Sequence, residues 1–98
     1  MKEFKNEELG VRFTIPARPT VRQQLAYWDA AAREEGVTVF ETRWRGVLAL
    51  LQEWQCEAMP DAKADLDSLD SPTVTRVISW AGTQVFIYVG SLEDVPKN

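Results

Sequence analysis

A lone cysteine, a run of aspartates and a scatter of arginines are the residues of this 98-residue chain whose types could do chemistry. Cys56 would have to act as a thiolate to be a nucleophile. Its neighbours Glu53 and Glu57 oppose that charge, so it reads as a small half-buried residue near a helix end. The chain has no histidine, which removes the usual general base and rules out a Ser–His or Cys–His pair within it. Asp61, Asp65, Asp67 and Asp70 invite a calcium reading. An EF-hand loop begun at Asp65 puts Asp67 at its third position but Leu69 at the fifth, Asp70 where glycine is needed and Arg76 where a bidentate glutamate is needed. The match fails, and the four aspartates read as a solvated acidic connector leading to a helix N-terminus. Arg43 and Arg45 flank Trp44 as they would in a stacking platform for bases. On a helix, however, they stand about 100° to either side of it and border a buried ring. Gly10, Gly36, Gly46, Gly82 and Gly90 are isolated and form no phosphate loop. The sequence therefore offers no catalytic, cofactor-binding or metal-binding residues, and the expectation is a protein that is not an enzyme and holds no cofactor.

Charge and composition sharpen that expectation. The net charge is −4, and residues 57–70 carry five carboxylates against Lys63 alone, which is the whole excess. A balanced body with an acidic connector does not attract nucleic acid. With one cysteine no intramolecular disulfide can form, so a reducing cytoplasm is the expected compartment. No apolar run approaches the roughly 20 residues that cross a bilayer, and the charged start of the chain lacks a signal-peptide core. At 45% hydrophobic residues the length fits one domain over 1–98.

The elements that must position these residues read as mainly α: a three-helix bundle over about 20–35, 39–58 and 72–93 with a short N-terminal strand or extended arm at about 9–15. Residues 1–8 and 94–98 read as flexible tails. Val11, Phe13 and Ile15 alternate with polar residues, and the arm could pack alone, pair with another chain or pair near residues 37–40. Thr20 and Gln23 form a capping box; Val21, Leu25, Trp28 and Ala32 then recur at helical spacing, and Gly36 is the expected stop. Phe40, Trp44, Val47, Leu48, Leu51, Trp54 and Ala58 form the second stripe, with Thr38 or Thr42 as cap and Pro60 closing it. Ser71 and Pro72 open the third helix, whose register runs unbroken from Val74 to Leu92. A strand over residues 84–89 is the competing reading, and the unbroken register favours helix.

Tyr27, Leu50, Phe86 and Ile87 fall outside these stripes. If exposed, they make an apolar surface for another protein, and homo-oligomerisation is one use of it. The acidic surface of Asp61, Asp65, Asp67 and Asp70 supports an alternative: a protein-binding module, virion component or inhibitor, that presents the connector to a basic groove on a host protein.

The block from Trp54 to Trp80, taken with Arg22, Gln23, Gln24 and Leu25 upstream and Pro96, Lys97 and Asn98 at the end, resembles the tail assembly chaperones of tailed phages and prophages. That resemblance implies a mostly helical cytoplasmic protein that binds the aggregation-prone tape measure protein and helps recruit tail tube subunits. Such proteins often come with a frameshifted longer product. The family has no motif whose functional residues transfer to single positions here.

Overall fold

The computed structural model describes residues 1–92. Its order is β1 (Lys2–Asn6), β2 (Val11–Ile15), α1 (Val21–Ala30), α2 (Val39–Leu50), β3 (Glu53–Cys56), a 3₁₀ turn (Leu66–Ser68) and α3 (Pro72–Leu92). The strands form one antiparallel sheet in the order β1-β2-β3. The fold is therefore mixed α/β, and the expected mainly α bundle with residues 9–15 as an arm is overturned. The expected tail at 94–98 and the end of the third helix at 93 lie outside the described residues.

The sheet grows around β2, which is too apolar to stay unpaired. Phe4, Phe13 and Trp54 face one another across the three strands. Phe4 stacks on Phe13 at 5.0 Å between ring centroids, and Phe13 meets Trp54 at 5.6 Å. The start of the chain, expected to be loose, is thus an edge strand that contributes one inward ring. Its outward Glu3 pairs with Arg12 at 2.9 Å, and such charged edges discourage further strand addition. Gly10 closes the β1–β2 turn at φ +65°, and its N–H donates to the Glu7 carbonyl at 3.2 Å.

The second helix stops at Leu50 rather than running to 58. Leu51 takes φ −60°, ψ 130°, and the chain turns into β3. Both readings place Trp54 against the core: it lies three residues after Leu51, which continues a helical stripe, and two before Cys56, which puts both on the inner face of a strand. Pairing with β2 decides between them by satisfying backbone groups along both strands. The Trp54 indole N–H then donates to the Met59 carbonyl at 2.7 Å and folds the connector back.

The helices cover the aromatic face of the sheet. Trp80 meets Phe13 edge-on at 5.9 Å, Tyr88 meets Phe4 at 6.0 Å, and Trp44 meets Trp54 at 5.2 Å. The Tyr88 hydroxyl donates to the Ala17 carbonyl at 2.6 Å, tying α3 to the link after β2. α3 stays helical through residues 84–89, with Val85 and Val89 buried. α2 packs against both other helices at two glycines. A Cβ on Gly46 would stand 2.6 Å from Tyr27 Cε1, and one on Gly82 would stand 2.9 Å from Arg43 Cβ. Close crossing, rather than a helix-breaking role, accounts for both.

At the first helix the capping box is present: the Gln23 N–H donates to Thr20 Oγ1 at 3.1 Å, and the Thr20 N–H donates to Gln23 Oε1 at 2.8 Å. The helix ends at Ala30, however, and Gly36 sits in the following loop at φ +82°. No described helix is long and apolar enough to cross a membrane.

Candidate functional site

A groove of about 820 Å3 lies where the first turns of α2 and α3 meet the acidic connector. Its position follows from three local signals. Thr38 Oγ1 accepts the Glu41 N–H at 3.2 Å and starts α2 there, which leaves Phe40 on the first turn, 50% exposed. Asp61 and Asp65 accept the N–H groups of Lys63 and Asp67 at 2.9 and 3.1 Å, bending the connector through two side-chain turns. Pro72 then opens α3. Together these place Phe40, Leu66, Leu69, Val74 and Ile78 around one hollow.

Glu41 and Asp70 border the same hollow, with Arg76 beside them. Asp61, Asp65 and Asp67 are exposed along the connector. The arrangement is an apolar floor bordered by two carboxylates and one guanidinium, with an acidic connector beside it. Thr75, Ser79 and Ser71 add hydroxyls that can hydrogen-bond a bound chain. Such a lining suits docking of an amphipathic segment whose charged side is basic. The ion pairs of Arg45 with Glu34 and Glu41, at 3.3 and 3.4 Å, are exposed and add little to stability.

The four residues expected to form an apolar partner surface separate. Phe86 and Ile87 are exposed on α3. Tyr27 and Leu50 are buried, which corrects their expected exposure. Tyr27 lies under the α1–α2 crossing at Gly46, and Leu50 points into the core from the last turn of α2. Burial pushes the Tyr27 hydroxyl up to about 12, against the opposing pull of the Arg43 guanidinium. Phe86 is held between Trp28, edge-on at 6.0 Å, and the Arg43 guanidinium, 4.3 Å from its ring centre. Beneath it, Tyr27 Oη, Trp28 Nε1 and Arg43 Nε have no hydrogen-bond partner among the described residues. Cys56 is buried on the inner side of β3.

Sequence reasoning located the acidic connector but missed the groove, because Phe40 and Ile78 read as ordinary members of core stripes. It also missed that α1 is turned over. Tyr27 is the buried side chain of that helix, while Val21 and Leu25 from the expected core stripe stand 73% and 65% exposed. The available signal was Gly46, a gap in α2 that a ring on the preceding helix can fill. Comparison with protein-family models, with curated proteins and with solved structures gives no match.

Proposed function

We propose that this chain is a non-enzymatic protein-binding module, and that its groove takes a basic amphipathic segment of another protein. The observation that supports this reading is the apolar hollow bordered by Glu41 and Asp70 and fed by the acidic connector. Exposed apolar surface in a hollow with a charged rim is the usual form of a helix-in-groove site. Joined to the resemblance of the Trp54–Trp80 block, the reading becomes a phage assembly factor of the tail assembly chaperone type. It works in the bacterial cytoplasm on a tape measure or tail tube protein. In that role the connector gives the groove Leu66, Leu69 and Asp70, while Asp61 and Asp65 already serve its own turns.

The experiment is co-expression with a long, helix-rich tape measure protein. The wild-type chain is expected to raise the soluble fraction of that protein and to co-elute with it. Phe40→Glu with Asp70→Lys is expected to remove both effects while the circular dichroism spectrum is retained. An equal gain from the wild type and the double variant would overturn the groove as the docking site. No gain from either would overturn the tape measure protein as partner.

A further inference from the structure

A second open apolar surface lies on α1, and its charge is opposite to that of the groove. Val21 and Leu25 stand side by side one helical turn apart and project into water, with Arg22 and Ala26 beside them. Arg18 is exposed just ahead of the helix. A surface helix normally turns its larger apolar side chains inward. Burying a valine or a leucine contributes about 1.5–3 kcal/mol, so leaving both in water forgoes a stabilisation that another surface can supply. Here the inward side is given to Tyr27 against Gly46, and the aliphatic side becomes a ridge with an arginine border.

The ridge and the groove share no residue and are complementary in kind. One is apolar and basic (Val21, Leu25, Arg18, Arg22); the other is apolar with Glu41 and Asp70 against Arg76 on its border, and the exposed aspartates of the connector beside it make that side of the molecule acidic. We infer that the α1 ridge of one copy docks in the groove of a second copy. This inference rests on the groove being a protein-docking site and names its occupant in the absence of another partner. The contact joins two different patches, so it is heterologous. Each added copy leaves one free ridge and one free groove, and association runs on to rings or open filaments. A ten-residue helix is about 15 Å long, and one face of it covers less than the roughly 1,200 Å2 of a stable interface. The association is therefore weak, reversible and weakened by salt. A foreign basic segment entering the groove competes with it.

The test is sedimentation velocity on the full chain over a range of concentrations, with two one-sided variants. Arg22→Glu with Leu25→Glu disables the ridge, and Phe40→Glu with Asp70→Lys disables the groove. All four side chains are at the surface, and Val21→Glu for the ridge and Thr75→Lys for the groove serve as replacements if either pair disturbs the circular dichroism spectrum. The wild type is expected to form species larger than a dimer as concentration rises. Each variant alone is expected to associate on the order of tenfold more weakly or not at all. An equimolar mixture of the two is expected to give a dimer and nothing larger, because one intact ridge meets one intact groove. A wild type that stays monomeric throughout, or a groove variant that associates as well as the wild type, would overturn self-docking. Neither result touches capture of the tape measure protein by the groove, which the co-expression experiment reads separately.

Discussion

Phe13 and Phe40 are the same side chain put to opposite uses. Phe13 lies on the central strand with no exposed surface, held by Phe4, Trp54 and Trp80. Phe40 stands on the first turn of α2, half in water, at the lip of a hollow with Leu66 and Ile78 beyond it. The sheet face is closed from both sides by rings that meet at 5–6 Å, while the groove is closed on one side only. The closed region holds the chain in one shape. The open region has apolar surface left for something else. Local chemistry alone does not separate the two; what separates them is whether another part of the same chain is there to cover the ring.

Substitutions in the two regions should therefore diverge, and the largest effect belongs to the closed one. Phe13→Ala is expected to lower stability by about 3–5 kcal/mol, read as a fall in the urea midpoint, with loss of partner capture only as the protein unfolds. If it lost capture while remaining folded, the division between the regions would fail. Next is alkaline titration of Tyr27. Burial pushes its hydroxyl from the ordinary tyrosine value near 10 up to about 12, so the neutral form is favoured by folding. The corresponding stability is complete below pH 10, and about 2–3 kcal/mol is lost as pH rises from 10 to 12. Urea titrations across that interval should show the loss in the wild type and a smaller one in Tyr27→Phe.

Gly46→Ala comes third. The gain in helix propensity, about 1 kcal/mol, is opposed by a methyl group 2.6 Å from the Tyr27 ring. A net destabilisation of about 1–3 kcal/mol is expected in thermal unfolding. A stabilised variant would mean that Tyr27 can move, and that the exposed setting of the α1 ridge is not fixed by the crossing. Thr20→Ala should lose about 1 kcal/mol through the capping box, with little effect on capture. The smallest stability change, within about 0.5 kcal/mol, is expected for Phe40→Glu, although it should reduce capture most. That inversion between stability and binding is the sharpest form of the contrast with Phe13.

Much of the helical layer is legible in the residues. Thr20 with Gln23, Thr38 and Pro72 mark three helix starts by chemistry that acts within four residues. The sheet is not legible in that way. β1 offers Phe4 as its one apolar residue in Lys2–Asn6, and β3 has a tryptophan whose spacing continues the stripe of α2. Both become strands because β2 needs partners on two sides, which is a demand made from elsewhere in the chain. The groove has the same character. Of its border only Asp70 belongs to the visible run of aspartates, whereas its floor exists only where α2, the 3₁₀ turn and α3 converge. The side that α1 presents to the core depends on Gly46, fifteen or more residues beyond that helix's last turn.

The tie between Tyr88 and Ala17, 71 positions apart, has a consequence for the newborn chain. The β1–β2 hairpin is complete once residue 15 is available, and its inner side carries Phe4, Val11, Phe13 and Ile15. Trp54 and Cys56 arrive later, and the helix bearing Trp80 and Tyr88 arrives last. At about 5–20 residues per second, the 77 residues between the end of β2 and the end of α3 take roughly 4–15 s to synthesise. For that interval the stickiest surface of the protein is on the ribosome without its lid. Translation speed over the second half of the message, rather than the final stability, would then set how many copies are lost to tangling with their neighbours.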